Sequence, residues 1–282
     1  MFIVRSPNPY PQIAWEEIHI LNKLKFLFKK YIKKRYRQKT VSVWILSAPK
    51  SGRTWLRAMV GIYISKLYGA DPSKSLDLRG MSKALRLPLI GLTHNGSDFS
   101  NQIVSGDKKL ANPKLWKGKK VVHLSRDIND VLVSAFHHMS YRKMVFHGTL
   151  SEFIRKPTMG AEKMITAEQK WNKNKDLASD WLDITYEEMQ EDPKAVLLKV
   201  ISFMNLPEDE NIAQYAVEFC TAENMRELEK SGFYRHGSMR PSNSGEQGMK
   251  VRSAKVGNFK QSLDKTDLEY IQSIIRKISD TI

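Results

Sequence analysis

Lys50, Ser51, Gly52, Arg53 and Thr54 stand in a row that can hold an oxyanion. The lysine brings a full positive charge, and glycine lets the backbone come close to a ligand. A helix starting there points its first free N–H groups at the same spot. The common nucleoside triphosphate loop puts glycine directly before its lysine, whereas here Lys50 precedes Gly52. Three further residues with chemistry to offer sit just beyond short apolar runs: His94, ahead of an Asn-Gly turn, Arg126 and Tyr186. Arginine presents a planar fork of donors that fits phosphate, histidine titrates near neutrality and can accept a hydroxyl proton, and tyrosine offers an aromatic face.

Strands must carry these residues to one place. Val41–Leu46, rich in β-branched residues, reads as a buried parallel strand, and Leu89–Thr93, Val121–Leu124 and Trp181–Thr185 read as three more. Helix-compatible stretches follow from Trp55 to Ile64, from about Asp130 to Met139 and from Ala161 to Ala178. Others run from the Asp192-Pro193 cap to Met204 and from Thr221 to Leu228. Thr266-Asp267-Leu268-Glu269 reads as a capping box for a last amphipathic helix, and Ser231–Gly257, rich in Gly, Ser, Pro and Arg, as a mobile loop. Strands alternating with helices predict an α/β fold with a parallel sheet flanked by helices. Ligands bind such sheets beyond the carboxyl ends of the strands, where Lys50, His94, Arg126 and Tyr186 fall.

A chain of 282 residues with 41% hydrophobic content can bury one substantial core, which predicts a single domain over 41–282. The formal charge is +16, and nine basic residues lie between Lys23 and Lys39 with no acid among them. Ile20, Leu24, Leu27, Phe28 and Tyr31 recur there at helical spacing, so residues 1–40 read as a basic amphipathic extension. Residues 20–39 suit either an anionic membrane surface or packing on the domain, and the sequence leaves both open. Cys220 is the lone cysteine, which excludes an intrachain disulfide and favours a reducing compartment. Cysteine and histidine show no ligand spacing for zinc, so no metal is expected. Met1–Tyr10 has no secretory pattern and no run is long enough to span a bilayer. The expectation is a cytoplasmic protein, with the inner face of a membrane as a further option. No nucleic-acid-binding motif accompanies the charge, and specific nucleic-acid binding is not expected.

Pro49-Lys50-Ser51-Gly52 followed by Thr54-Trp55 resembles the 5′-phosphosulfate loop of the sulfotransferases that use 3′-phosphoadenosine 5′-phosphosulfate (PAPS). The run Val121–Ser134 is similar to the 3′-phosphate element of that family, with Arg126 and Ser134 at its phosphate-binding positions. Thr185-Tyr186-Glu187-Glu188 resembles the segment whose tyrosine contacts the adenine, and Trp55 matches the tryptophan on the other side of that base. Arg252-Ser253-Ala254, followed by Gly257-Asn258-Phe259-Lys260, is similar to a C-terminal motif in which Arg252 completes the 3′-phosphate clamp. Departures are Arg53 where threonine is common, Leu92 where lysine precedes Thr-His, Ser253-Ala254 for Lys-Gly, and Asn258-Phe259 for Asp-Trp.

The resemblance implies a P-loop-like sulfotransferase fold and in-line sulfuryl transfer from PAPS to an acceptor hydroxyl, without a metal. It implies Lys50 at the leaving oxygen and His94 as base, with Asp98, His123, His137 and His138 as alternatives. It implies donor binding by residues Lys50–Trp55, Arg126, Ser134, Tyr186 and Arg252–Ala254. Carbohydrate or glycolipid is one acceptor class and a small phenol or alcohol another. A P-loop-like nucleotide kinase, and a non-catalytic membrane-surface or polyanion-binding module on this scaffold, are the competing readings.

Overall fold

Every residue of Val43–Ser47 (β1) is buried, as its run of apolar and β-branched side chains requires of a central parallel strand. In this computed structural model the described residues are 19–20, 22–24, 26–28, 32, 36, 38–99, 112–234, 236–240, 248–251 and 256–281. The chain divides into two compact units, Met1–Val41 and Ser42–Ile282. In the first, the described residues from 19 to 39 are helical. Ile20, Leu24, Leu27 and Phe28 are exposed there by 49 to 65%, and Tyr31 lies outside the described residues. No described helix is long and apolar enough to cross a membrane.

In the second unit β1 leads into α1 (Arg53–Tyr68) and α2 (Leu78–Ala84), then β2 (Ile90–Thr93) and β3 (Lys120–Ser125). Helices α3 (Ile128–His137), α4 (Leu150–Arg155) and α5 (Ala161–Lys173) precede β4 (Asp180–Thr185). After it come α6 (Tyr186–Glu191), α7 (Pro193–Phe203), α8 (Glu210–Phe219), α9 (Ala222–Lys230) and α10 (Lys265–Thr281). The sheet is parallel throughout, in the order β2-β1-β3-β4, with Val43 opposite both Ile90 and Lys120, and Lys120 opposite Asp180. From β1 the strand order runs outward to β2 on one side and to β3 and β4 on the other, so the crevice beyond the carboxyl ends of β1 and β3 is the switch point where such sheets hold ligands.

Side-chain alternation sends β3 in two directions. Val122 and Leu124 join the main core, which includes Leu56, Met59 and Ile62 of α1 and Leu197, Val200 and Ile201 of α7. His123 points the other way, to α5, where Glu168 and Trp171 meet it. A second core joins Val131 and Leu132 of α3, Phe153 of α4, Met164 of α5 and Ile271 of α10. Helices therefore flank both faces, as the alternation of elements predicts.

Local signals act as read at several ends. Asp192 caps α7 through the Ala195 amide at 2.9 Å with Pro193 in the first turn, and Thr221 caps α9 through Asn224 at 3.3 Å. The last helix differs from its expected start. Asp264, not Thr266, is its cap, accepting the Asp267 amide at 2.8 Å and the Thr266 hydroxyl at 2.7 Å. The stretch 161–178 also breaks, its α-helix ending at Lys173 before a 3-10 turn over Lys175–Leu177.

His123 lies 3% exposed, with Nδ1 bonded to Asp183 at 2.8 Å and Nε2 to Glu168 at 2.9 Å. Burial alone would lower its pKa, but the bonds to Asp183 and Glu168 and their charges outweigh it and raise the value to about 9. The imidazolium therefore stabilises the fold fully below the ordinary histidine value near 6.5, and that contribution is lost as pH rises through about 9. Thermal unfolding is expected to show Tm falling between pH 6.5 and 9, with a shallower fall in His123→Asn. Equal slopes in the two proteins would remove His123 from this linkage.

Candidate active site

The loop between β1 and α1 is set by two left-handed residues, Lys50 (φ 73°) and Gly52 (φ 89°). Gly52 occupies the cap position of α1 and makes no side-chain cap bond, which leaves that end of the helix suited to an oxyanion. The glycine serves close approach as well as backbone conformation. A Cβ there would lie 2.5 Å from Cδ2 of Tyr186, so the loop is laid directly on that ring.

Tyr186 collects three neighbours. The Arg126 guanidinium sits 4.1 Å from its ring centroid, Trp55 meets it edge to face at 6.0 Å, and Gln190 donates to its hydroxyl at 3.1 Å. Trp55 is fixed in turn by donating to the Cys220 carbonyl at 2.9 Å. Arg126 Nη1 donates to the Lys50 carbonyl at 3.3 Å, which ties the end of β3 to the β1 loop. Its Nη2 faces Asp130 at 3.5 Å. Asp130 also accepts the amides of Gly257 at 2.8 Å and Phe259 at 3.1 Å, anchoring the chain just beyond residues 252–255. The near side is held by Glu229, buried at 1%, which accepts the Lys250 amide and Arg142 Nη1 at 2.6 Å.

His94 follows β2 and reaches across to β1. Its Nδ1–H donates to the Ser47 carbonyl at 2.8 Å, and Nε2 accepts from Arg53 Nη2 at 2.6 Å. Burial, then the Arg53 charge, lowers its pKa to about 3 despite the Ser47 bond, with Lys250 adding to the fall. Burial and Arg57 bring Arg53 down to about 10, and its Nη1 is buried without a hydrogen-bond partner among the described residues. Lys250 falls to about 8 through burial and the charges of Arg142 and Arg53. His138 opens a π-helical turn, His138–Arg142, and is pushed to about 2 by burial and by Lys50, Lys250, Arg142 and Lys143.

These residues share a cavity of about 930 Å³. Lys50, Gly52, Arg53, Thr54, Trp55, His94, Arg126, Ser134 and Tyr186 all line it, so the structure brings together nine of the thirteen site residues expected from the sequence. Ser51 is fully buried and off the wall. Arg252, Ser253 and Ala254 lie outside the described residues. Among the alternative bases, Asp98, His137 and His138 are on the wall, while His123 is in the ion cluster beneath the sheet. Among the described residues seven cations and two carboxylates line the cavity, a balance that suits a polyanion. Lys250, Arg142 and Arg57 escape sequence reasoning because no spacing marks them. Their place follows from the Glu229 tether and from the position of Arg57 one turn beyond Arg53 in α1. Among the described residues no group of three or more His, Cys, Asp or Glu could hold a metal.

A sequence profile described as "Sulfotransferase domain" matches residues 41–281. The flavonol 3-sulfotransferase of Flaveria bidentis is 24% identical over 253 residues, covering 83% of this chain and 80% of that protein. Cytosolic sulfotransferase 13 of Arabidopsis thaliana is 25% identical over 217 residues, 71% of this chain and 66% of its own. Among solved structures, retinol dehydratase in complex with retinol and PAP aligns with a TM-score of 0.59 at 14% identity, over 84% of this chain and 80% of that one. Mouse sulfotransferase SULT7A1 complexed with PAP aligns with a TM-score of 0.53 at 16% identity, over 85% and 84%. At such identities the structural likeness shows a shared fold.

Gly52 is the position where loop conformation and ring packing coincide. Gly52→Ala is expected to cost about 1 to 2 kcal/mol from the left-handed backbone alone, with a further loss from displacing Tyr186. Chemical denaturation measures the sum, and an unchanged midpoint would show that the ring yields freely.

Proposed function

The chain belongs to the sulfotransferase family, and from that premise we propose that it transfers the sulfuryl group of PAPS to an acceptor hydroxyl. One observation carries the reading: Lys50 and Arg126, from the loops after β1 and β3, are hydrogen-bonded neighbours at the switch point of a parallel sheet. Beside them α1 offers a first turn without a capping side chain, the arrangement an oxyanion needs. The residues present therefore fit a nucleotide with phosphates at both ends. Lys50, Gly52 and Thr54 would hold the 5′-phosphosulfate, Arg126 and Ser134 the 3′-phosphate, and Trp55 and Tyr186 the adenine, with Arg252 as a further phosphate ligand.

The donor supplies an activated sulfuryl group, and the chain's part is alignment and charge compensation. His94 Nε2 takes the acceptor's hydroxyl proton as the new O–S bond forms. Lys50 compensates the electron pair that the breaking S–O bond leaves on the phosphate oxygen. The acceptor side of the reading draws on Asp98, Phe99, Arg142, Val145 and Met159, which come from the segments after β2, α3 and α4. Phe99, Val133, Met139, Val145 and Met159 give this wall an apolar stretch. Such a wall favours a hydroxyl carried on an apolar body, as in a glycolipid or a phenol, over a bare sugar.

For residues 20–39, exposed Ile20, Leu24, Leu27 and Phe28 among nine cations support an anionic membrane surface as the partner. The full chain is expected to co-sediment with phosphatidylserine vesicles and to stay in solution with phosphatidylcholine alone.

Adenosine 3′,5′-bisphosphate is expected to raise the melting temperature, by about 2.7 kcal/mol of added stability at a hundredfold excess over Kd, with ATP and magnesium giving less. A preference for ATP would overturn the donor assignment. Lys50→Ala should lower kcat by about 100- to 1000-fold. Arg126→Ala should weaken bisphosphate binding by about 10- to 100-fold, as loss of a charge-assisted phosphate contact does. Calorimetry and sulfate-transfer kinetics separate the two.

A further inference from the structure

Arg53 stands between the anion loop and the histidine, and its contacts fit neither role alone. It is the first residue of α1, one position after the Gly52 cap, and lines the cavity beside Lys50 and Thr54. Its Nη2 donates to His94 Nε2 at 2.6 Å, while Nη1 is buried with no hydrogen-bond partner among the described residues. His94 is fully engaged in this arrangement, because Nδ1–H is given to the Ser47 carbonyl and the lone pair of Nε2 to Arg53. An imidazole with both nitrogens bonded has no site left for an acceptor's proton. The guanidinium, for its part, spends a charged donor on a neutral acceptor and leaves a second donor unmet, the weaker of the two bonding modes open to it.

We propose that Arg53 is a donor-operated latch on His94: an oxyanion seated at the first turn of α1 draws the guanidinium off Nε2, so the base is released when the donor's 5′-phosphosulfate is in place. This rests on the PAPS reading and deepens it by tying proton removal to donor occupancy. The competition favours the oxyanion, since a guanidinium pairs with phosphate or sulfate through two parallel charge-assisted bonds and with imidazole through one. Release also removes the nearest cation from His94, and the ring becomes a stronger base at that moment. Arg53 thus positions His94 in one state and contacts the donor in the other. The proton goes from the acceptor hydroxyl to Nε2, and no further reactant is needed.

The groups facing the latch come from four places: the Ser47 carbonyl of β1, Arg57 of α1, Asp98 after β2 and Lys250 of the C-terminal segment. Asp98 opposes the loss of charge on Arg53, whereas Arg57 and Lys250 add to the positive field.

Nitrogen-15 NMR of the full-length protein follows the protonation of His94, whose signal is assigned by its loss in His94→Asn. Without nucleotide the ring is expected to stay neutral to about pH 4. Saturating adenosine 3′,5′-bisphosphate should move its titration upward by about one pH unit or more. In Arg53→Met the titration should lie higher from the outset and respond far less to the bisphosphate. Arg53→Lys, which keeps the charge without the fork, should retain the low starting value and is the second variant should Arg53→Met fail to fold. An equal response in wild type and Arg53→Met would show a through-space effect of the phosphate and overturn the latch. So would a wild-type His94 that the bisphosphate leaves in place while a raised melting temperature shows it bound. A bisphosphate that raises no melting temperature overturns the donor reading instead.

Discussion

The guanidinium of Arg126 is where the separate parts of the site become one object. It donates to the Lys50 carbonyl, lies over the Tyr186 ring and faces Asp130, so it touches the loops after β1 and β3, the start of α6 and the body of α3. The sheet order makes this possible, since β1 and β3 are neighbours although α1, α2 and β2 intervene in sequence. Glycine at position 52 is the matching constraint from the other side, for any larger residue would push the loop off the ring against which Arg126 packs. Anion loop, aromatic surface and arginine fork are therefore positioned by a single set of contacts.

Burial gives the cavity its electrostatic character. Arg53, Lys250, His94 and His138 all have lowered pKa values, each first from burial and then from neighbouring cations. A pocket that crowds positive groups out of water is strained in isolation and relieved by an anion. Beneath the sheet the logic is reversed, because His123 has two carboxylates for partners and gains a proton. His94 and His138 are thus held neutral beside cations, while His123 is charged between acids.

Much of this was legible in the residues. Four apolar runs give four parallel strands, each within two residues of its expected limits, and the residues after them converge as the fold class requires. Helices α2, α4, α6 and α8 escape the sequence reading, although Asp77, Thr149, Thr185 and Asp209 cap them; α2, α4 and α6, of 7, 6 and 6 residues, offer too few apolar repeats to stand out, whereas α8, at 10 residues, is as long as α3, which is read. The start of α10 was misplaced by a competing pair of capping residues, and Asp264 prevails. Trp55 and Tyr186 were expected as two faces about one base, whereas their rings meet edge to face at 67°. The engagement of His94 by Arg53 had no sequence signal at all, since a hydrogen bond spanning 41 positions depends on how β2 pairs with β1.

Glu229 and Asp130 hold the two ends of the stretch that contains Arg252, one through the Lys250 amide and the other through Gly257 and Phe259. For a span pinned at both ends, halving the free length changes the cost of closure by only about 0.6 kcal/mol. The tethers matter more for direction than for energy. Both tethers stand at the cavity, whose wall includes Lys250, Asp130 and Asn258, and the carboxylate that holds Gly257 and Phe259 also faces Arg126. Loss of the Asp130 carboxylate would therefore release the Arg126 fork and the backbone at Gly257 and Phe259 together, so one side chain joins the cavity wall to the C-terminal part of the chain.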